Sequence, residues 1–169
     1  KISKKAAGLS NITWRRADAV KDEWGTGFDV VMLAGNFLFN LISDMDYEKA
    51  QELLIRKAAD SLKPGGSVYI DYSYTVHPEA WFDNPGEVLI WEGADSGGNT
   101  GRMLLLGSSF DRESGMTYFT RRFELTLAGG TEIKEDIPQS KHFATLEQIH
   151  SWLSASGFTI EEEYGGYSR

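Results

Sequence analysis

The 169-residue sequence predicts an α/β fold, part of a parallel sheet carrying an antiparallel β insertion, and three observations predict it. Phe28 to Ala34 is a nearly unbroken apolar run bounded by Gly27 and Gly35, the pattern of a strand buried on both faces. Helical spacing of apolar residues follows, and then a second extended stretch, which together make a strand–helix–strand unit. After Asp71 the texture changes to extended stretches separated by glycine-rich turns.

Taken in order, residues 1–9 are rich in Lys and Ala with Gly8 as a terminator, so they read as the last turns of a helix and the chain begins within an element. Ile12 to Ala17 reads as a short strand, and Phe28 to Ala34 as the buried one. From Asp44 or Asp46 to Leu62 the residues Tyr47, Ala50, Leu53, Leu54, Ala58 and Leu62 mark one face of a helix, which Lys63-Pro64-Gly65-Gly66 closes. Ser67 to Asp71 is the next strand. Leu89–Trp91, Arg102–Phe110, Met116–Leu127 and Thr131–Ile137 alternate with turns such as Ser96-Gly97-Gly98-Asn99 and predict antiparallel hairpins. Thr145-Leu146-Glu147-Gln148 has the form of a capping box, opening a helix through Trp152 and Leu153 that stops near Gly157. Phe158 to Tyr164 reads as a final strand. The expected divisions are 1–72 for the α/β core, 73–144 for the β-rich insertion and 145–169 for a returning helix and strand.

Composition narrows the function. With 17 Lys and Arg against 25 Asp and Glu, the formal charge is −8. Nucleic-acid affinity rests on cations that displace condensed counterions, so DNA and RNA are poor partners. There is no cysteine, which removes disulfides, thiolate zinc sites and a Cys nucleophile together. Three widely spaced histidines do not form a metal site. No apolar stretch approaches the ~20 residues of a membrane helix, and no signal-type run follows the N-terminal lysines, so the expectation is a cytoplasmic protein without a membrane partner.

Three landmarks then fall in fixed order: Ala17-Asp18-Ala19 after a strand, Phe28 to Asn36, and Leu62-Lys63-Pro64-Gly65-Gly66 before a further strand. Together they resemble the middle and late motifs of class I S-adenosylmethionine-dependent methyltransferases, over residues 1–72 and again from Thr145. Leu33-Ala34-Gly35-Asn36 with Phe37, Phe39 and Leu41 is similar to the segment found in glycine and sarcosine N-methyltransferases. The resemblance implies a partial Rossmann-like methyltransferase sheet with its antiparallel insertion near the substrate site. It implies S-adenosyl-L-methionine as cofactor, held by Asp18, Ala19, Ala34 and Gly35, and a small-molecule methyl acceptor facing Asn36. It also implies that the family's glycine-rich loop and ribose-binding acid precede Lys1, so that the sequence is part of a longer protein. A homo-oligomer is compatible with this picture.

The residue chemistry agrees with that assignment and leaves alternatives open. Asp18 is able to accept from an exocyclic amine, and is equally able to cap a turn. Gly35 permits close approach of a ligand to the backbone. Asn36 offers an acceptor and two donors to an amine, or forms a turn. Methyl transfer is an in-line displacement that depends chiefly on positioning. Tyr72, Tyr74, His77, Trp81 and Trp91 form an aromatic-rich group suited to enclosing an amine or a sulfonium, or simply to packing the hairpins. His77 is the candidate general base; His142 and His150 read as structural. Ser73 stands where glycine-specific relatives carry a carboxylate-binding Arg, leaving Arg121 or Arg122 to supply one, and these point to opposite faces of one strand. The leading expectation is therefore an N-methyltransferase. The alternatives are O- or C-methylation of a phenolic or quinone-like acceptor, and a catalytically silent binding module. A nicotinamide dehydrogenase is disfavoured, because no Gly-x-Gly-x-x-Gly turn is present.

Overall fold

The computed structural model describes residues 10–166. The helix expected over residues 1–9 lies outside them. Strand β1 (Phe28–Leu33), helix α1 (Tyr47–Ser61) and strand β2 (Leu62–Ile70) form the expected unit, with β1 and β2 paired in parallel. Short helix α2 (Pro78–Phe82) leads into strands β3 (Asn84–Ala94), β4 (Thr100–Asp111), β5 (Met116–Thr126) and β6 (Glu132–His142). These four form an antiparallel sheet in sequence order, and helix α3 (Leu146–Ala155) follows.

Local chemistry explains the boundaries. Asp46 caps α1, its side chain accepting from the Lys49 N–H at 3.1 Å. The capping box at Thr145 forms as written: Gln148 N–H donates to Thr145 Oγ1 at 3.1 Å and Thr145 N–H donates to Gln148 Oε1 at 2.8 Å. Gly157, at φ +82°, ends α3 in a left-handed turn that lets Phe158 N–H reach back to Leu153 O. In the β3–β4 turn Asp95 Oδ1 accepts from the N–H groups of Gly97 and Asn99, which closes the hairpin.

The core lies where α1 and α3 meet the loops around β1. Leu38, Ala50, Leu54, Ile55 and Ala144 are fully buried there beside Leu33, Ile149 and Trp152. Each large apolar side chain removed from water contributes about 1.5–3 kcal/mol, so this cluster holds the two helices together. The antiparallel sheet joins the body through the end of β6. Lys141 Nζ donates to Asn40 O at 3.1 Å, and Tyr47 Oη and Ser140 Oγ are 3.2 Å apart.

Three expectations are corrected. Ile12 to Ala17 and Phe158 to Tyr164 are irregular rather than strands: neither segment pairs with a strand among the described residues, and an extended segment needs a ladder to satisfy its backbone. The apolar run of β1 is not covered on both faces. Val31 and Leu33 turn toward α1, whereas Phe28, Val30 and Met32 are 43%, 55% and 65% exposed, because helices pack on one side only of the two described parallel strands.

Candidate active site at the carboxyl ends of the parallel strands

Parallel pairing brings the exits of β1 and β2 side by side, with Leu33 opposite Ile70. Ligands in such sheets bind where loops leave the carboxyl ends of strands. Three hydrogen bonds continue the pairing into the loops. Asp71 N–H donates to Leu33 O at 3.0 Å, Gly35 N–H to Asp71 Oδ2 at 2.9 Å, and Ser73 N–H to Asn36 Oδ1 at 3.1 Å. Gly35 and Asn36 are consecutive left-handed residues, at φ +74° and +56°. Glycine enters that region freely and asparagine more readily than most residues, which explains the choice of both. Nothing lies within 4 Å of the place a Cβ would occupy on Gly35, so its backbone faces open space, as a ligand cradle requires.

Asp18 opens a separate turn. Its Oδ1 accepts from the N–H groups of Val20 at 2.9 Å and Lys21 at 3.1 Å, so the capping role is realised, while Oδ2 lies 3.9 Å from Lys21 Nζ. Lys57 on α1 pins this turn by donating to the carbonyls of Val20 and Asp22, and Trp24 Nε1–H donates to Ala19 O. Lys21 also bonds Asp44 at 2.7 Å, fastening the turn to the segment that leads into α1. That contact holds the Asp44 carboxyl below its usual range.

The aromatic group divides. Tyr74 stacks on Phe143 at 6.1 Å, Tyr72 lies 5.8 Å from the same ring, and Trp81 meets Phe82, which also touches Phe39, Phe110 and Phe143. Tyr72 Oη–H donates to Ala144 O at 3.0 Å, and burial pushes its phenol well up. His77 is exposed ahead of α2, its Nδ1 3.5 Å from Glu79 Oε1. Arg112 binds the same carboxylate at 3.1 Å. Trp91 does not join this cluster: it lies seven residues along β3 from Asn84, roughly 23 Å at strand rise, with its ring against Gly93 and Gly101.

The two arginines face opposite ways, as strand alternation requires. Arg122 is committed to Asp136 through a bidentate pair, both contacts at 2.7 Å. Arg121 lies over the Phe119 ring, its guanidinium carbon 5.7 Å from the centroid.

A groove of about 710 Å³ opens beside the aromatic cluster, between the start of α1, the Tyr74–Glu79 segment, the β4–β5 turn and the end of β6. Its wall contains Phe110 and Phe143, which sequence reasoning missed, and His142, which it read as structural. Behind His142 stands Gln51, fully buried on α1. The available signal was Gln51 itself, a polar residue at a position that helical spacing assigns to the apolar stripe.

No protein-family model and no curated protein matches the chain. Solved structures do match it in fold. An amino pentose methyltransferase from Micromonospora echinaspora involved in calicheamicin biosynthesis, solved with SAM bound, is 15% identical with TM-score 0.65, covering 92% of this chain and 61% of its own. A sugar N-methyltransferase from Streptoalloteichus is 17% identical with TM-score 0.67, covering 89% and 56%. DesVI of Streptomyces venezuelae is 16% identical with TM-score 0.71, covering 98% and 65%. The chain thus spans about three fifths of the length of these neighbours, and it has the fold of SAM-dependent methyltransferases.

Proposed function

We propose that the chain is part of an S-adenosylmethionine-dependent N-methyltransferase whose acceptor is a small-molecule amine, most specifically an amine borne on a sugar. One observation carries the reading: consecutive left-handed residues Gly35 and Asn36, tied to Asp71 and Ser73, hold an open backbone cradle at the paired ends of β1 and β2. The fold neighbours, an amino pentose methyltransferase and a sugar N-methyltransferase, support the choice of acceptor.

In this reading Asp18 Oδ2 and the Ala19 backbone receive the adenine end of the cofactor, and Ala34 and Gly35 lie along it. The cofactor, when bound, supplies an electrophilic methyl group. The protein's work is placement, which is worth several powers of ten in such displacements. Asn36 Oδ1 keeps a second lone pair beyond the one given to Ser73, so it is able to fix one N–H of the acceptor and aim the nitrogen's own lone pair. Tyr74 and Phe143, stacked on each other, form an apolar wall on the acceptor side.

Glycine and sarcosine, the acceptors of the enzymes whose Leu-Gly-Asn segment this chain resembles, are less well served. Ser73 has no cation, and Arg122 is held by Asp136. Calorimetric titration of the full-length protein with S-adenosylhomocysteine tests the cofactor. Homocysteine release measured with amino sugars, amino acids and phenols tests the acceptor. Absence of binding at millimolar ligand removes the reading, and turnover with phenols alone moves it to O-methylation.

A further inference from the structure

A buried polar contact joins two residues that the cradle does not use. His142 is 3% exposed, and its Nδ1 lies 2.6 Å from Gln51 Oε1. Gln51 has no freedom to turn its amide over, because its Nε2 donates both to Leu38 O at 3.0 Å and to His142 O at 3.1 Å. An oxygen therefore faces Nδ1, and Nδ1 must carry the hydrogen. Burial lowers the tendency of the ring to take a second proton. The neutral imidazole consequently presents a bare lone pair at Nε2, and Nε2 makes no hydrogen bond among the described residues.

The ring lies beside the groove. His142 lines it, and the approach to Nε2 passes the glycine of the β4–β5 turn: a Cβ on Gly115 would sit 3.0 Å from Nε2. Gly115 is also at φ +67°, so glycine both makes the turn and leaves the nitrogen reachable. The charged groups facing the groove are Asp46 and Glu48 from the start of α1, Glu79 from α2, and Arg112 and Glu113 from the turn. Four carboxylates stand against one guanidinium, which already binds Glu79. The field favours a cationic guest. Beside the ring on β6, Lys141 is turned away and donates to Asn40 O.

We propose that His142 is the general base of the reaction, taking through Nε2 the proton that an ammonium acceptor must lose. The assignment rests on the N-methyltransferase reading and deepens it. In the step, the ammonium N–H bond breaks and an Nε2–H bond forms. The electron pair stays on the substrate nitrogen, the ring becomes imidazolium, and the proton later leaves to solvent through the open groove. Gln51 is the positioning residue, since its fixed oxygen selects the tautomer and stabilises the imidazolium.

The test compares His142→Asn, which keeps a donor near the Nδ1 position, with the unsubstituted full-length protein. At pH 7 kcat for an amine acceptor should fall by about 100-fold or more, the usual reach of a general base, with S-adenosylhomocysteine affinity unchanged. The loss should shrink as pH rises above the acceptor's own pKa, where the amine arrives deprotonated. Nitrogen-15 NMR of the labelled histidine, without any ligand, should show a protonated Nδ1 and a bare Nε2. If the Asn variant does not fold, Gly115→Ala serves instead, and should lower kcat with cofactor affinity retained. A kcat within threefold of the unsubstituted protein, a loss equal at every pH, or a protonated Nε2 each overturns the assignment. Failure of the unsubstituted protein to bind S-adenosylhomocysteine is a separate signature: it defeats the methyltransferase reading and this assignment with it.

Discussion

Asn36 does two jobs that substitution is able to separate. Its side chain accepts from Ser73 N–H at 3.1 Å, and its backbone sits at φ +56°. Asn36→Ala removes the hydrogen bond, worth about 1 kcal/mol, and places a residue with a Cβ and no local polar group in the left-handed region, which adds about 1 kcal/mol more. Asn36→Gly removes the same bond but relieves the backbone. It adds roughly 0.5–1 kcal/mol of unfolded-chain entropy, which the relieved strain largely offsets. For a chain of this size ~1 kcal/mol moves the melting temperature by ~2–4 °C, so the alanine variant should melt ~4–8 °C lower and the glycine variant ~2–4 °C lower. Scanning calorimetry of both variants in one buffer measures the difference. Turnover should fall in both by a similar factor, and more than S-adenosylhomocysteine affinity, because both lose the amide that the proposed function sets against the acceptor. Equal melting shifts would refute the argument that the left-handed backbone selects this asparagine, and unchanged turnover would refute its place beside the acceptor.

Other consequences are as direct. Asp18→Ala should weaken S-adenosylhomocysteine binding more than it lowers kcat, and should also cost about 1 kcal/mol because Val20 and Lys21 lose their cap; calorimetry and a thermal melt read the two effects, and a loss of kcat with unchanged affinity would contradict the division of the site. Thr145→Ala should destabilise by about 0.5–2 kcal/mol, the cost of a broken cap, without altering ligand affinity; denaturant titration at constant slope measures it. Acidification should destabilise through His142. Its folded pKa is depressed, so the unfolded chain binds the proton more readily, and stability is lost as pH falls below the unfolded value of about 6.5. Melting temperature measured from pH 7 to 5 should therefore decline, and His142→Asn should flatten that decline. The carboxyls of Asp44, Asp95, Asp111 and Asp136, all lowered from 3.8, contribute in a more acidic window that leaves this one clear.

The parts of the fold legible in the sequence are those that local chemistry decides. The α1 periodicity, the Thr145 capping box and the glycine-rich hairpin turns each encode their geometry within a few residues, and each forms as read. Strands depend on partners elsewhere in the chain. Ile12 to Ala17 and Phe158 to Tyr164 have extended composition but no ladder beside them among the described residues, and β1 has the apolar run of a doubly covered strand while one face is open. The site follows the same division. Gly35 and Asn36 announce a special backbone by their identity, whereas Asp71 matters only because parallel pairing sets its carboxylate opposite Gly35 N–H. Trp91 and Tyr74 look alike as aromatic residues past β2, and only the length of β3 separates them.

The groove owes its position to how β6 returns to the body. The β5–β6 ladder is unbroken from Thr126 opposite Glu132 to Met116 opposite His142, so its register delivers His142 to the body at a fixed height. There the chain passes directly into Phe143, Ala144 and the capped start of α3. Tyr72 Oη–H holds Ala144 O, and Gln51 holds His142 at both its carbonyl and its ring. Residues from the loop that leaves β2, the helix layer and the antiparallel sheet therefore meet within three consecutive positions. A buried polar pair costs stability unless every group is satisfied, and in Gln51 every amide atom is. The one nitrogen left over, Nε2 of His142, is the one that the glycine at position 115 leaves open to the groove. Apolar residues would pack this junction with less demand on geometry, and a glutamine and a histidine here are what the base proposed at Nε2 requires.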